Sequence, residues 1–589
     1  ARSNPDDREA HTALLERAML LDGTRVVIAD KECAITSGRR VRRDRDAVVR
    51  ETGYLPTLTR YNIVEEVCES CRACTTATGC PGLTVVDTAF GEKVAIDGEV
   101  CVDDGYCAKI KACPSFELVT VTRSHAPAVR AAPDTPLPPD PVLPAVGAEG
   151  YSVYMGGVGG LGIGVVSRIL TEAAAEAFAE VDTYHKKGLA QRGGGVFCDM
   201  VMHDGSRVRT PLIPDGHADV ILGLEAIEGL RALSKASPER SAAVINAATR
   251  PTTTMLMGTA AAPDDIEGLA RTRTRHEGLL VEDFASACEE ALGDRIYANV
   301  ALLGAAWQRG LLPIPRSAIE DAIRNVTGRR SANNLAAFNV GRRLAATPPS
   351  ATATETTADL VAREAAWIAS DADRAGFSAL IEQARGAGLD DESIASLAPR
   401  LPELLAWDGR SYAEQYLTLV IDVHRAAPEH AAVAIHNLHR TMCIKDEVFV
   451  AHQLTTEKKY ARDRERFGVD AQRGDRIAYV HLNRPSFTVL GREITFDLKT
   501  KDWMLRRVRR ARFLRTVLPG WHGRERAFRD WYATQVLPAV TSGRLQGAAA
   551  EEALRLPEQV TGFREVRYPK EDAAYARFGE LARSAADTT

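Results

Sequence analysis

Two cysteine-rich segments of the same shape constrain this chain more than any other feature of its sequence. Each has three closely spaced positions, then five residues, then a cysteine followed by proline. The first consists of Cys68, Cys71, Cys74 and Cys80, and the second of Cys101, Asp104, Cys107 and Cys113. An aspartate therefore stands where the second segment would need its middle cysteine. Cysteines at this spacing predict iron–sulfur clusters.

The eight positions are the number that two [4Fe–4S] clusters require. In a two-cluster ferredoxin, each cluster takes three ligands from one segment and the last cysteine of the other. This crossed rule predicts Cys68, Cys71, Cys74 and Cys113 for the first cluster, and Cys101, Asp104, Cys107 and Cys80 for the second. Expected strands over 61–64, 83–86, 94–96 and 118–122 would complete a small pseudo-symmetric cluster module at residues 59–124.

Asp104 has two interpretations at this stage. Its register is that of a ligand, and an oxygen ligand is harder than a thiolate, so the cluster that it completes would be the more labile one. Alternatively, Asp103-Asp104-Gly105 is an ordinary turn sequence, and Asp104 lies beside a [3Fe–4S] cluster. Zinc ribbons use two Cys-x-x-Cys pairs, and disulfides are not expected without a secretory signal, so both of these alternatives are disfavoured.

The composition disfavours two other classes of function. A net charge of −5 and a pI near 6.3 are not those of a general nucleic-acid binder. No apolar run is long enough to span a membrane. We therefore expect a cytoplasmic protein without nucleic-acid or membrane partners. The cysteines outside the two segments are expected to be buried packing residues; they are Cys33, Cys198, Cys288 and Cys443.

The 589 residues should form three or four domains. Residues 1–58 suggest the end of an α/β unit, with a helix, a strand over 24–29 and a basic segment over 39–43 that is either a solvated loop or a contact for an anionic partner. Residues 125–147 are a Pro-rich linker. Residues 148–346 alternate strands and helices as in a parallel α/β domain, with a hairpin that pairs 196–202 with 208–213. Residues 358–589 are mostly helical.

A glycine-rich loop follows the first strand of the α/β domain. The loop contains Gly157, Gly159, Gly160 and Gly162, and Asp182 lies twenty residues beyond Gly162. This spacing satisfies the formal dinucleotide-binding fingerprint. The same glycines fit any phosphate at a helix N-terminus, or simply close packing of a helix on a sheet. The later pair Arg192 and Gly193 has the same ambiguity.

Two groups of side chains in the helical region have both a structural and a functional interpretation. Six arginines between 506 and 515 favour a solvated helix face with buried stems over a docking site. Four histidines have helical spacing without an evident set of carboxylates, which favours hydrogen-bonded structural roles over a metal or base role; they are His424, His436, His439 and His452.

The order of these parts resembles a known family. The chain has Val27-Ile-Ala-Asp-Lys-Glu-Cys-Ala34, then the cluster module, then Met155-Gly-Gly-Val-Gly-Gly-Leu-Gly162, an Arg-Gly-Gly at 192–194 and Ala218-Asp-Val-Ile-Leu-Gly223. This order is similar to the second half of indolepyruvate:ferredoxin oxidoreductases, within the thiamine-dependent 2-oxoacid:ferredoxin oxidoreductases. Residues 148–346 resemble their gamma domain. Segments 412–425, 445–447 and 562–566 are similar to the helical extension of long bacterial forms.

The resemblance implies an iron–sulfur subunit, or half, of an enzyme that decarboxylates an arylpyruvate-type 2-oxoacid. Such an enzyme passes single electrons to ferredoxin and an acyl group to coenzyme A, whose phosphates would suit Gly157 to Gly162 and Arg192-Gly193. Leu161 stands where the family commonly has glutamine. The thiamine diphosphate signature, Gly-Asp-Gly with a downstream Asn, is absent. The resemblance therefore implies thiamine diphosphate and Mg²⁺ on a partner polypeptide or on a preceding half, in a dimer of such pairs.

Two rival functions remain open on the sequence alone. The dinucleotide fingerprint and Asp182 would also suit an NAD(P)- or flavin-linked iron–sulfur reductase. A non-catalytic scaffold that only connects a partner enzyme to an electron acceptor would have the same cluster module.

Overall fold

The computed structural model describes residues 1–110, 113–126, 136–188, 193–204, 210–346, 355–483, 486–489, 492–495, 498–518 and 520–588. Within them the protein is a multidomain chain of α/β and α+β class. An N-terminal segment and the cluster module are followed by a central α/β domain and a mostly helical C-terminal region. Arg192, much of the predicted Pro-rich linker and residues 208–209 of the predicted hairpin lie outside the described residues.

The N-terminal segment has few contacts with the rest of the chain. Its elements are β1 (Arg2–Ser3), α1 (Arg8–Met19), β2 (Ile28–Ala29) and α2 (Ala34–Thr52). Neither helix has a buried residue. Two predictions were wrong here: the basic segment at 39–43 belongs to α2 and is not a loop, and Cys33 is exposed at the start of that helix.

The cluster module contains all four predicted strands. Its elements are β3 (Thr57–Ile63), α3 (Ala73–Thr78), β4 (Leu83–Val86), β5 (Lys93–Ile96), α4 (Tyr106–Ile110) and β6 (Phe116–Thr122). Strands β3 and β6 pair antiparallel, as do β4 and β5. Each cysteine segment therefore lies in a loop and short helix between two strands.

The central domain is built around a six-stranded sheet. Its elements are β7 (Tyr151–Val158), α5 (Ile163–Ala177), β8 (Glu180–Lys187), β9 (Gly195–His203), β10 (Val220–Gly223), α6 (Ala226–Ala232), β11 (Ala242–Asn246), α7 (Thr253–Leu256), α8 (Ile266–Arg271), β12 (Leu279–Glu282), α9 (Phe284–Leu292), α10 (Ala298–Gln308), α11 (Arg316–Thr327) and α12 (Ser331–Ala346). All eight residues of β7 are buried, as expected for a central strand covered on both faces.

The sheet is mixed and not wholly parallel. Its strand order is β12-β11-β10-β7-β9-β8, and β9 runs antiparallel to both of its neighbours. The predicted hairpin between 196–202 and 208–213 was wrong, because β9 pairs with β7 and β8, and residues 210–213 are not a strand. Alternation in β9 reports the two faces of the strand and does not identify the strands that pair with it.

Helices α10 and α12 cross at two glycines. A Cβ atom at Gly341 would overlap the carbonyl oxygen of Ala301, and one at Gly304 would overlap the carbonyl oxygen of Phe338. The absence of side chains at both positions is what lets the two backbones approach so closely.

We expect Gly341→Ala to lower the free energy of unfolding of the protein by about 2–3 kcal/mol, because the added methyl group must push the two helices apart. Urea unfolding followed by circular dichroism measures this change. Gly386→Ala is the matched control, since a Cβ at Gly386 meets no atom within 4 Å; it should change stability by less than about 1 kcal/mol. Equal effects of the two substitutions would contradict the tight crossing.

The C-terminal region is mostly helical, as predicted, but it also contains four strands that sequence reasoning missed. Its elements are α13 (Thr357–Ala366), α14 (Asp371–Gly386), α15 (Asp391–Leu397), α16 (Leu401–Asp408), α17 (Arg410–Ala426), α18 (Ala431–Met442), α19 (Glu447–Gln453), α20 (Glu457–Arg466), β13 (Arg476–Asn483), β14 (Ser486–Val489), β15 (Arg492–Thr495), β16 (Leu498–Lys501), α21 (Asp502–Val508), α22 (Leu514–Val517), α23 (Gly523–Trp531), α24 (Leu537–Thr541), α25 (Gly547–Gln559) and α26 (Tyr568–Thr588).

Strand β13 joins the C-terminal region to the cluster module. It pairs antiparallel with β6, so that β16, β13, β6 and β3 form one four-stranded sheet. The helices of the C-terminal region share a large apolar core that includes Phe377, Leu417, Ile435 and Phe528. The cluster module and the C-terminal region therefore share one sheet and are not separate structural units.

None of the described helices combines the length and the low polarity that crossing a bilayer requires.

Candidate iron–sulfur site

The cysteines of the cluster module form two groups whose members influence one another electrostatically. Burial raises the pKa of Cys74 to about 12, and the nearby Cys68 and Cys71 add to the shift, with a smaller contribution from Cys107 of the second segment. Burial also raises the pKa of Cys113 to about 12, with contributions from Cys68 and Cys71, although Ser115 opposes the shift. These four side chains come from both cysteine segments, so the membership of the first group agrees with the crossed ligand rule.

The second group consists of the three other cysteines of the two segments, Cys80, Cys101 and Cys107, together with Asp104. Burial raises the pKa of Cys107 to about 12, with contributions from Cys80, Cys101 and Asp104. Burial raises the pKa of Cys101 to about 11, and Cys80 again contributes. These high values mean that the thiols hold their protons at neutral pH, so binding of iron would release protons. The two groups are compatible with two crossed cluster sites.

The two cysteine loops repeat one another in backbone detail, with an offset of 33 residues from Cys68 to Cys101. The backbone N–H of Ser70 donates to Cys68 Sγ at 3.4 Å, and the N–H of Asp103 donates to Cys101 Sγ at 3.4 Å. Ser70 and Asp103 both have positive φ angles, 54° and 58°. Such conformations are uncommon for residues other than glycine, so their recurrence at the same place in both loops indicates one shared template.

Asp104 occupies the position of Cys71 in this repeat. The N–H of Tyr106 donates to Asp104 Oδ1 at 3.0 Å. In the first loop, a hydrogen bond from the backbone of Ala73, at the position matching Tyr106, reaches the Cys71 thiol and opposes the rise in its pKa that burial causes. Asp104 is exposed, whereas Cys71 is half-buried. Its carboxylate therefore replaces a thiol at the same site, on the more open side of the module.

Residues of the C-terminal region surround the first cysteine group. Lys445 donates to the carbonyl oxygens of Val67 and Cys68 and pairs with Glu69 at 2.6 Å. Burial would raise the pKa of Glu69, but the charges of Lys445, Arg440 and Arg567 outweigh burial and hold that pKa below its usual range. One carboxylate is thus surrounded by several cations beside this group.

The backbone of the C-terminal region also covers this group directly. A Cβ atom at Gly562 would lie 3.2 Å from the Cβ of Cys71, and Gly562 has a φ of 97°. Phe90, at the tip of the β4–β5 hairpin, stacks on His439 with 5.4 Å between ring centroids. Arg400 donates to the carbonyl oxygen of Ala89 at 2.6 Å. The first group is therefore covered by elements more than 300 residues away in the sequence.

The second cysteine group faces the N-terminal segment and the central domain. Asp103 pairs with Arg60 at 3.0 Å and with Arg45 of α2 at 3.3 Å. On the other side, Arg250 of the central domain forms ion pairs with Asp97 and Glu99 of the module. The surroundings of the two groups differ, although the central domain also reaches the first one, since Thr75, next to Cys74, donates to the carbonyl oxygen of Leu256 at 2.8 Å.

A cavity of about 270 Å³ lies between the cluster module and the glycine loop. Its wall includes Pro81, next to Cys80, and Gly159 and Gly193 of the central domain. Among the described residues, the charged side chains of the wall are mostly acidic, with Asp97, Glu225 and Glu228 beside the cation Arg250. Of the glycines predicted to bind a phosphate, Gly159 and Gly193 therefore lie in the wall of a cavity that the cluster module also lines.

The other loop glycines have local structural roles. A Cβ at Gly157 would lie 3.1 Å from Leu224 Cβ, so this position packs a strand against its neighbour. The N–H of Gly159 donates to the carbonyl oxygen of Gly194 at 2.8 Å. Gly160 and Gly162 have φ angles of 95° and 98°, and Gly162 begins α5. Packing and a helix start therefore account for much of this glycine pattern.

The position of Asp182 disfavours dinucleotide binding at the loop. Strand β9 lies between β7 and β8, and Asp182 is opposite Val201, which is opposite Ser152 at the start of β7. The glycine loop begins at the other end of β7, roughly 20 Å away at about 3.3 Å per residue. Asp182 instead lies 3.1 Å from His203.

Sequence reasoning missed several residues of the site. Lys445, Arg440 and Gly562 lie far from the cysteines in sequence, and no local pattern connects them to the module. Glu403 was missed for the same reason: its Oε2 lies 3.2 Å from His439 Nε2, which is 3.3 Å from Cys443 Sγ. One carboxylate therefore contacts one of the four histidines, and this contact fits the hydrogen-bonded structural role predicted for His439.

Two family models match this chain. One is described as pyruvate ferredoxin/flavodoxin oxidoreductase and matches residues 152–344. The other is described as a family of unknown function, DUF6537, and matches residues 395–579. The C-terminal contacts with the first cysteine group thus come from a region to which its family model assigns no role.

Two relatives in sequence point to the same family. The chain is 32% identical over 195 residues to indolepyruvate oxidoreductase subunit IorB of Methanothermobacter thermautotrophicus, which covers 32% of this chain and 95% of that relative. It is 37% identical over 112 residues to subunit IorA of Archaeoglobus fulgidus, covering 19% of this chain and 15% of that relative. A keto/oxoacid ferredoxin oxidoreductase gamma subunit from Geobacter sulfurreducens is similar in structure over 33% of this chain and 98% of that one, with 19% identity and a TM-score of 0.24.

The IorB relative is matched over nearly its whole length at more than 30% identity. The chain therefore belongs to the indolepyruvate oxidoreductases, within the 2-oxoacid:ferredoxin oxidoreductase family.

Proposed function

We propose that this subunit carries single electrons from a 2-oxoacid decarboxylation centre, on a thiamine-bearing partner or preceding half, through two iron–sulfur clusters to ferredoxin. Residues 1–58 would be the tail of that thiamine-binding unit. The clusters, when bound, supply one-electron carriers of low potential. The substrate class is an arylpyruvate-type 2-oxoacid.

The observation that carries this proposal is the repeat of the two cysteine loops. It gives Asp104 the hydrogen-bonding position of Cys71. The electrostatic neighbours of Cys113 and Cys107 support the crossed sets, which are Cys68, Cys71, Cys74 and Cys113 for one cluster and Cys80, Cys101, Cys107 and Asp104 for the other. Each group has four donors of the kind that a cubane cluster takes. We therefore assign Asp104 as an oxygen ligand of the second cluster.

The surroundings of the two groups suggest the direction of electron flow. Asp103 and Asp104 place negative charge beside the second group, partly offset by Arg45 and Arg60. The first group lies near Lys445, Arg440 and Arg567, with Glu69 among them. Positive charge stabilises a reduced cluster and raises its potential. We therefore propose that electrons enter at the second cluster, near the central domain, and pass to the first cluster under the C-terminal region.

Coenzyme A as the acyl acceptor is the second part of the proposal. The cavity beside Gly159 and Gly193 has Pro81, next to Cys80 of the second group, in its wall. Its carboxylates, Glu225 and Glu228, disfavour phosphates inside it. We therefore assign the uncharged thiol arm to the cavity and the phosphates to its mouth, where Gly160 and Gly162 begin α5.

An anaerobic complex of this chain with its thiamine-bearing partner should lose part of its absorbance near ~400 nm when an arylpyruvate and coenzyme A are added, because electrons from the 2-oxoacid reduce the clusters. Stopped-flow absorbance measures the loss. The chain without its partner is the control and should bleach only with dithionite.

Failure of every arylpyruvate and branched 2-oxoacid to bleach the complex would contradict the substrate class. Reduction of the clusters by NADH would favour the reductase alternative instead.

A further inference from the structure

A basic and apolar surface covers the outer side of α21 and α22 in the C-terminal region. We call it the arginine surface. It consists of the exposed residues Trp503, Arg506, Arg507, Val508, Arg509, Arg510, Arg512, Phe513, Val517 and Leu518. Of the six arginines expected to form one solvated helix face, Arg515 is instead buried and pairs with Asp446 at 2.6 Å. The other five remain at the surface.

Of the arginines on this surface, Arg506 is hydrogen-bonded to Tyr460 and lies near the carboxylates of Asp502 and Glu457, which also raise its pKa. No described acidic side chain forms an ion pair with Arg507, Arg510 or Arg512. Asp502, at the start of α21, is turned inward, where it accepts from Tyr460 at 2.9 Å and lies 2.8 Å from His481. Arg507, Arg510 and Arg512 therefore present their charge to solvent.

Large apolar side chains are exposed among these arginines. Trp503 is 56% exposed, Phe513 61% and Val517 65%, and Arg507 lies over the Trp503 ring at 4.9 Å. Single exposed apolar residues are common, but aromatic residues interleaved with arginines are the composition that is enriched in protein–protein interfaces. A solvated face would not need this many exposed rings and aliphatic chains.

The arginine surface lies next to the first cysteine group. Leu505, the buried residue that precedes Arg506, packs in one apolar cluster with Val64 and Val67. Val67 is directly followed by Cys68. The outer face of α21 is therefore about one helix diameter (~10 Å) from the start of the first cysteine loop.

We infer that the arginine surface is the docking site for an acidic one-electron carrier protein, the ferredoxin of the proposed function. The inference rests on that proposed function and adds to it the place where electrons leave. Unpaired arginines attract an acidic partner and accelerate its encounter at low ionic strength. The exposed aromatic residues then exclude water from the contact, which lies beside the first cluster site.

The test uses the complete complex with its thiamine-bearing partner and a purified acidic ferredoxin as the acceptor. The triple variant Arg507→Glu, Arg510→Glu, Arg512→Glu should raise the KM for ferredoxin at least tenfold at low salt, and the difference from the unchanged protein should shrink as salt is added. The rate with methyl viologen as acceptor should stay unchanged, because this small dye needs no docking surface.

A matched control makes the same change of charge in the central domain, with Arg273→Glu, Arg329→Glu and Arg330→Glu, which are also exposed. This control should keep the original KM for ferredoxin. An equal rise of KM in both triple variants would overturn the inference, because net charge alone would then explain the effect. An unchanged KM in the arginine-surface variant would overturn it as well.

Binding and assembly measurements separate this inference from the proposed function. Surface plasmon resonance of ferredoxin on the chain should show at least tenfold weaker binding in the arginine-surface variant, and this supports the inference even if no 2-oxoacid reduces the clusters. Loss of the thiamine-bearing partner, or of a second copy of the chain, from the variant in size-exclusion chromatography with light scattering would overturn it, because the surface would then belong to that occupant.

Discussion

Replacing Cys113 with alanine should remove the first cluster and leave the second, although Cys113 belongs to the second cysteine segment. The reason is the crossed ligand rule, which the nearby Cys68 and Cys71 support by contributing to the raised pKa of Cys113. Cys80→Ala should have the opposite effect, since Cys80 influences Cys101 and Cys107. Each variant should lose roughly half of the eight irons of two cubane clusters, as measured by iron analysis of anaerobically purified protein. Cys288→Ala, a buried cysteine outside the module, is the control and should keep all of the iron.

Asp104 identifies which cluster remains in each variant. In the Cys113→Ala background, adding Asp104→Cys should shift the reduction potential of the remaining cluster, because a thiolate would replace an oxygen ligand. In the Cys80→Ala background the same addition should leave the potential unchanged. Spectroelectrochemistry with EPR detection measures both. The reverse pattern would show that each cluster takes all of its ligands from one segment, and the crossed sets would be wrong.

Replacing Lys459 with methionine should lower the free energy of unfolding by about 3–5 kcal/mol, because it leaves buried carboxylates without their cation. Lys459 Nζ lies 2.9 Å from Glu117 Oε2 and 3.0 Å from Asp463 Oδ2, and all three side chains are fully buried. Burial would raise the pKa of Glu117, but Lys459 and His481 outweigh burial and hold it below its usual value. Glu117 is in β6 of the cluster module and Lys459 is in α20, so the loss falls on the junction between the two regions.

The midpoint of urea unfolding, followed by circular dichroism, measures this loss. Lys458→Met is the comparison: Lys458, whose side chain is 43% exposed, pairs at 2.7 Å with the buried Glu364, but Arg363 also lies 3.7 Å from that carboxylate, so the loss of stability should be clearly smaller than for Lys459→Met. Adding Asp463→Asn to Lys459→Met should recover part of the stability, since it removes one uncompensated charge. Equal midpoints for Lys459→Met and Lys458→Met would contradict the role assigned to the buried network.

The cysteine spacing allowed the candidate site to be predicted, because a cubane cluster fixes the separation of its ligands along a short loop. The four strands of the module could also be predicted, because each is a short apolar segment, which is a local feature of the sequence. Asp104 remained ambiguous, since turn chemistry and ligation favour the same residue type at that place. Only the backbone repeat, with Tyr106 donating to Asp104, relates its carboxylate to the Cys71 thiol.

Features that depend on distant contacts were missed or misjudged. Alternating hydrophobicity correctly indicated that β9 is a strand, but its partners β7 and β8 depend on the order of the whole sheet. The arginines of 506–515 look alike in sequence, yet Arg515 is buried against Asp446 because α19 passes beside it. Lys445 and Gly562 reach the cysteines from more than 370 residues away, a separation that no local pattern can encode.

The pairing of β13 with β6 sets the time at which the cluster module can be completed. Arg476 pairs with Thr122, so this edge of β6 has no partner until the chain has grown by some 350 residues. At about 5–20 residues per second, synthesis of that stretch takes roughly 20–70 s. An unpaired strand edge is a template for aggregation during this interval, and high contact order slows its closure further. The nascent module therefore keeps this edge open for that time, and the side of Cys71 that Gly562 approaches stays uncovered until residue 562 has been made.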